Sequence, residues 1–253
     1  MISNKLKAAL KRGEPQIGLW MSLASPYTAE ICASAGFDFV VIDGEHGPNH
    51  IQSILHGLQA IAAYPTQAVV RPTIGDVNLI KQILDVGAQT IVVPLVETAE
   101  QAELLVRAVR YPPEGIRGVA PAVARASRWG RADDYINQAS SEICLILQIE
   151  TKKGLDNLEA IAGVDGVDGV FIGPADLSAS LGYRGKPSAP EMLRVMEDAV
   201  ARIRRCGKAP GILWTEDTGS KRFLELGVTF MAVGVDVALL TTATDRLVRT
   251  FKA

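Results

Sequence analysis

Short, near-continuous runs of β-branched and apolar residues recur along the chain, and each is followed by a longer amphipathic stretch. The runs at 17–23, 39–42, 68–70, 90–93, 143–149, 169–172, 209–213 and 229–233 are apolar on successive residues rather than alternate ones. That is the pattern of strands buried on both faces, as in a parallel sheet. Helical spacing follows at 27–35, 51–62, 77–86, 99–109, 155–161, 189–205, 219–226 and 237–251. Gly36, Gly87 and Gly227 stand just past three of these stretches, where a left-handed residue closes a helix. Eight strand-then-helix units in 253 residues predict a single (β/α)8 TIM barrel spanning 1–253. A doubly wound open sheet competes, but no G-x-G-x-x-G turn follows the first run. The irregular stretch 111–137 is too long for an idle loop, and we read it as an elaborated loop at the active face or a subunit contact.

In such barrels the loops after the strands form the reactive face. The polar residues there concentrate on four runs: Asp43-Gly44-Glu45-His46-Gly47 after the second, Arg71-Pro72 after the third, Gln148-Ile149-Glu150 after the fifth and Gly173-Pro174-Ala175-Asp176 after the sixth. Glu150 and Asp176 end consecutive runs, so their carboxylates converge and suit a hard divalent cation such as Mg²⁺ or Mn²⁺. The competing reading makes Asp176 a cap of the turn after it and Glu150 a solvated helix start. Gln148 shares the Glu150 side of its strand and offers a neutral donor. His46, three residues past Asp43 in a glycine-flanked loop, suits a base oriented by that carboxylate. Arg71 suits an oxyanion or a substrate carboxylate, with an ion pair to Asp43 or Asp85 as the alternative. The ten lysines all fall on predicted helices or loops, so an imine-forming strand lysine is not expected. A cation, a base and an arginine together suit enolate chemistry beside a carbonyl. A non-catalytic barrel binding a keto acid has no need of all three.

Composition narrows the setting. With 26 basic and 28 acidic side chains and a net charge of −2, nucleic acid is a poor partner. No apolar run approaches the roughly 20 residues of a membrane helix, and 1–12 lacks a signal-peptide core. Cys32, Cys144 and Cys206 are dispersed, which argues against a disulfide framework or a structural zinc site and for the cytoplasm.

The segments D-G-E-H-G-P-N at 43–49, V-R-P at 70–72, K-Q-I-L-D-V-G at 81–87, Y-P-P-E-G-I-R-G at 111–118, Q-I-E at 148–150 and G-V-D-G-V-F-I-G-P-A-D-L-S at 166–178 resemble the HpcH/HpaI aldolase family, in order over nearly the whole chain. The resemblance implies a metal-dependent class II pyruvate aldolase on a (β/α)8 barrel, using Mg²⁺, Mn²⁺ or Co²⁺. It implies metal ligands at Glu150 and Asp176, a base at His46, an enolate-stabilising arginine at Arg71 and a supporting aspartate at Asp85, with Asp43 as a second candidate for that support. Gln148, Ala175 (through its backbone), Asp176 and Arg71 match positions that contact substrate. V-R-P and the run R-A-S-R-W at 125–129 suit the branch that cleaves 4-hydroxy-2-oxoheptanedioate to pyruvate and succinate semialdehyde in aromatic-compound breakdown. Aldolases of 2-keto-3-deoxy sugar acids are the alternative. A homohexamer, with helix 237–251 packed on a neighbouring subunit, is also implied.

Overall fold

The computed structural model describes residues 3–252. Its eight strands are β1 (Gln16–Met21), β2 (Phe39–Asp43), β3 (Gln67–Arg71), β4 (Thr90–Val93), β5 (Cys144–Ile149), β6 (Gly169–Ile172), β7 (Ala209–Leu213) and β8 (Phe230–Val235). They close in sequence order into one parallel barrel, β8 pairing with β1. The helices are α1 (Lys5–Lys11), α2 (Pro26–Ser34), α3 (Ile51–Ile61), α4 (Val77–Asp85), α5 (Ala99–Val109), α6 (Tyr135–Glu142), α7 (Lys152–Asp156), α8 (Leu158–Ala162), α9 (Pro174–Ser180), α10 (Pro190–Arg205), α11 (Asp217–Glu225) and α12 (Asp236–Lys252). The single-barrel expectation is met. Gly36, Gly87 and Gly227 take φ of +94°, +110° and +95°, the left-handed closures expected of them.

Strand alternation separates two cores. Trp20, Phe39, Val41, Val69, Val92, Cys144, Ile146, Phe171 and Phe230 fill the barrel interior, and Leu6 and Leu10 of α1 plug its N-terminal end. Val40, Ile42, Val70, Ile91, Leu145, Leu147 and Ile149 face the helices instead. Phe39 stacks on Phe230 at 4.0 Å, Phe171 meets Phe230 edge-on at 6.0 Å, and Trp20 lies 5.3 Å from Phe171. This aromatic layer is the floor beneath the barrel mouth.

Three local features differ from the periodicity. The helix predicted over 155–161 is two short helices, because Asn157 leaves helical geometry (φ −98°, ψ 11°) and donates its Nδ2 to the Glu97 carbonyl at 2.8 Å. Helix α1 is too short to declare itself by period, yet Asn4 caps it by accepting from Lys7 N at 2.9 Å. The stretch 111–137 contains the start of α6 and does not reach the mouth of its own barrel. It packs at the far end of α4, where the Asp85 carbonyl accepts from Ala126 N at 3.0 Å and the Val86 carbonyl from Arg125 Nη1 at 2.9 Å. The expectation of an active-face loop therefore fails within one chain, because α4 runs back from the mouth and its last turn lies at the N-terminal end of the barrel. No described helix is long and apolar enough to cross a membrane.

Candidate active site

The alternation that fills the barrel also aims the site. On β2, inward Phe39 and Val41 are followed by Asp43; on β3, Val69 by Arg71; on β5, Cys144 and Ile146 by Gln148 and then Glu150. Asp43 and Arg71 are direct register partners across β2 and β3. Asp43, Arg71, Gln148 and Glu150 are all at least 94% buried. Burying four such groups is tolerable only because each is bonded or paired.

Arg71 donates Nε and Nη2 to the two oxygens of Asp43 at 2.9 and 2.7 Å, a fork-to-fork pair. Its Cζ lies 4.8 Å from the centre of the Trp20 ring. The ion-pair alternative thus holds for Asp43 and not for Asp85. Asp43 Oδ1 also accepts from the backbone nitrogens of Glu45 at 3.0 Å and His46 at 3.4 Å. Burial opposes its charge, but Arg71 outweighs that cost and keeps the Asp43 carboxyl below the usual range. Asp43 therefore holds the backbone of the loop that carries His46. The loop has no spare room: a Cβ on Gly44 would stand 2.8 Å from the Arg71 carbonyl oxygen. His46 itself is exposed at the mouth.

Glu150 is held by Leu95 N, donating to Oε1 at 2.8 Å, and by Gln148 Nε2, donating to Oε2. Leu95 makes its bond from a left-handed backbone (φ +57°), strain of the kind stored at functional sites. Burial, joined by the charges of Glu45 and Asp176, pushes the Glu150 carboxyl up despite those two donors. Asp176 and Ala175 lie exposed in the first turn of α9, directly above β6. Gln148 keeps its Oε1 buried without a partner.

Sequence reasoning assigned no role to Glu45. Its Oε2 stands 2.6 Å from Arg71 Nη1, and burial, with the charges of Asp43 and Asp176, pushes its carboxyl up although Arg71 and His46 pull the other way. Its only signal in the sequence was a place in an acidic loop beside the strand-end arginine. Asp85 is not brought to His46: it ends α4 at the opposite end of the barrel and binds Arg117 Nη2 at 2.7 Å.

Two carboxylates, Asp43 and Glu45, thus meet one guanidinium, while Glu150 has the charges of Glu45 and Asp176 as neighbours. Asp43 answers the arginine's charge, which leaves the Glu150 side with negative charge and no cation of its own. Oxygen donors in that state fit a hard divalent ion. Among the described residues no group of three or more His, Cys, Asp or Glu side chains forms a metal cluster by itself. Glu150 and Asp176 would hold the ion as a two-carboxylate set, leaving its other positions to substrate and water.

A parallel barrel with acids and an arginine at its mouth, and no lysine on any strand, defines a class of barrel lyase that works without an imine. The pattern of the HpcH/HpaI aldolase/citrate lyase family matches residues 16–243, and the chain belongs to that family. It is 57% identical over 98% of its length to a hydroxypyruvate/pyruvate aldolase of Pseudomonas aeruginosa, covering 93% of that protein. It is also 57% identical over 99% of its length to a 4-hydroxy-2-oxo-heptane-1,7-dioate aldolase of Klebsiella pneumoniae, covering 94% of it. A crystal structure of an HpcH/HpaI aldolase/citrate lyase family protein from Burkholderia cenocepacia superposes with a TM-score of 0.94 at 38% identity, covering 99% of this chain and 100% of that one. The protein is an aldolase.

Proposed function

We propose that this aldolase reversibly cleaves 4-hydroxy-2-oxoheptanedioate to pyruvate and succinate semialdehyde, with a divalent cation at Glu150 and Asp176. The observation that carries the reading is the pairing of a clamped, buried arginine with an uncompensated buried carboxylate across one barrel mouth. Mg²⁺, Mn²⁺ or Co²⁺ bound there supplies Lewis acidity to the keto group. His46 accepts the proton of the C4 hydroxyl, the C3–C4 bond breaks, and its electron pair becomes the pyruvate enolate. Arg71 presents its remaining N–H groups to the developing oxyanion, a contribution on the order of 10²–10³ in rate for one donor. Gln148 and the Ala175 backbone orient the keto acid.

The support of His46 implied for Asp85 belongs, on this reading, to a second copy of the chain, since within one chain the two lie at opposite ends of the barrel. Helix α12 fits the same picture: Leu239, Leu240, Leu247, Val248 and Phe251 are 54–82% exposed on it. We assign this row to packing on a neighbouring subunit of a cytoplasmic homohexamer. A second donor, hydroxypyruvate, is favoured by one specific fact: a relative named for hydroxypyruvate and pyruvate is as similar to this chain as the heptanedioate aldolase.

The test is pyruvate release from 4-hydroxy-2-oxoheptanedioate, coupled to lactate dehydrogenase, in chelator-stripped protein with and without each metal. Activity is expected only with metal, and His46→Ala is expected to lose turnover while still binding it. Full activity after stripping would overturn the Glu150–Asp176 assignment. Aldol addition to succinate semialdehyde with hydroxypyruvate in place of pyruvate decides between the donors.

A further inference from the structure

Arg71 is held on three sides. Asp43 occupies Nε and Nη2, and the Trp20 ring lies against the guanidinium face, both contacts made by inward residues of β2 and β1. The third side is different in origin. Glu45 comes from the loop beyond β2 and places Oε2 2.6 Å from Nη1, the one guanidinium nitrogen that Asp43 leaves open. That oxygen is buried and meets Nη1 as an ion pair, without the alignment of a hydrogen bond to it or to any other described group. The charges of Glu45 and Asp176 also act on one another, as do those of Glu45 and Glu150, so the carboxylate that meets Nη1 belongs to the same mouth as the two acids.

We propose that Glu45 is a positioning residue for the aldol reaction: by holding Nη1 it fixes the outer edge of Arg71, so that the remaining N–H groups meet the oxyanion in one orientation. The proposal rests on the aldolase reading above and adds a residue to it. Asp43 and Trp20 alone anchor the inner edge and one face, leaving the guanidinium free to tip about that anchor. A donor that tips away meets the developing charge less well, and displacement by about 1 Å costs on the order of 10²-fold in rate.

The test is a double-variant cycle between Glu45 and Arg71 in the Mg²⁺-loaded enzyme. Its readout is hydrogen–deuterium exchange of the pyruvate methyl group by NMR, which reports enolate formation without any aldehyde. Glu45→Ala is expected to slow exchange at saturating pyruvate by about 10- to 100-fold while Mg²⁺ affinity, measured by calorimetry, changes less than about threefold. Glu45→Gln keeps an acceptor for Nη1 and is expected to recover most of the loss. In an Arg71→Ala background, adding Glu45→Ala is expected to cost less than about twofold more, because contacting residues that act as one unit are not additive. Equal cost in both backgrounds, undiminished exchange in Glu45→Ala, or a fall in Mg²⁺ affinity that tracks the rate would each overturn the proposal. If Glu45→Ala fails to fold, Glu45→Asp, one methylene too short to reach Nη1, carries the same comparison. Absence of metal-dependent exchange in the unmodified enzyme would sink the aldolase reading itself, a result distinct from normal exchange that no Glu45 variant alters.

Discussion

Adding a single methyl group beside Glu150 tests whether the site depends on where that carboxylate stands. Gly173 follows β6 directly, and its backbone (φ −91°, ψ 94°) is open to any residue, so alanine brings no dihedral strain. A Cβ there would lie 2.8 Å from Glu150 Cβ, 2.8 Å from its Oε2 and 3.3 Å from Gln148 Nε2. Carbon atoms pack at about 3.5–4.0 Å, so Glu150 or the turn must yield by about 0.7–1.2 Å. Glu150 cannot yield freely, because its Oε1 is tied to Leu95 N and its Oε2 to Gln148. Overpacking of this size costs about 1–3 kcal/mol, a melting point lower by about 2–12 °C in a domain of this length. Displacing a metal carboxylate and its hydrogen-bonded partner together is expected to weaken Mg²⁺ binding about 10- to 100-fold. Calorimetric titration with Mg²⁺, pyruvate release and thermal melting measure the three effects. Gly57→Ala is the control: its Cβ would meet the Ile42 side chain alone, Cδ1 at 2.9 Å and Cγ1 at 3.6 Å, on the face turned to the helices, so metal affinity is expected to stay unchanged. Gly173→Ala with native Mg²⁺ affinity and turnover, or equal losses in Gly57→Ala, would refute the placement of Glu150 as a cation ligand.

Two further outcomes concern the far end of the barrel. Arg117 is fully buried, and its ion pair among the described residues is with Asp85 at 2.7 Å; Asp85→Ala is expected to cost about 3–5 kcal/mol, and a melting point within 2 °C of the parent would remove Asp85 as that counterion. Burial pushes the Tyr111 phenol from its ordinary value of 10.0 to about 12. The neutral hydroxyl is therefore favoured in the folded chain, a stability contribution present below pH 10 and lost as pH rises from 10 towards 12. Tyr111→Phe is expected to flatten the alkaline fall in melting temperature over that interval, and an unchanged slope would contradict the burial argument.

How much was legible follows from where period-2 alternation applies. Asp43, Arg71, Gln148 and Glu150 continue inward rows already set by Phe39, Val41, Val69, Cys144 and Ile146, so their direction follows from counting along strands. Asp176 was placed by strand order alone. Glu45 and Leu95 lie in loops, where no period fixes direction, and their roles arise from close approach across the mouth. Asp85 shows the opposite failure. A motif match carries a residue's name along the chain but not its end of the barrel, and nine residues of α4 separate the two. The stretch 111–137 stands apart in the sequence by its length without a regular period, yet its position beside α4 depends on bonds to Asp85 and Val86 that no local pattern encodes.

The fold pushes the proton affinities of two buried carboxylates at the mouth, Asp43 and Glu150, in opposite directions. Burial opposes the charge of Asp43, but Arg71 outweighs it and holds the carboxyl below the ordinary range, which suits an anchor for the arginine. Glu150 is driven above that range by burial, with Glu45 and Asp176 adding to the rise and the Gln148 and Leu95 donors opposing it. A buried carboxylate raised in this way gains more from a nearby cation than an exposed one does. Acids whose environments separate in this way have separate duties. On the proposed reading this separation pairs Asp43 with the arginine and leaves Glu150 for the metal, the ligand that the resemblance also implies. The same reasoning explains why replacing Glu150 by a neutral isostere would relieve the empty site while disabling the loaded one. A Glu150→Gln variant is accordingly expected to melt no lower than the parent in chelator, by scanning calorimetry, and to lose the stabilisation that Mg²⁺ gives the parent; a variant still stabilised by Mg²⁺ to the parent's extent would refute the assignment.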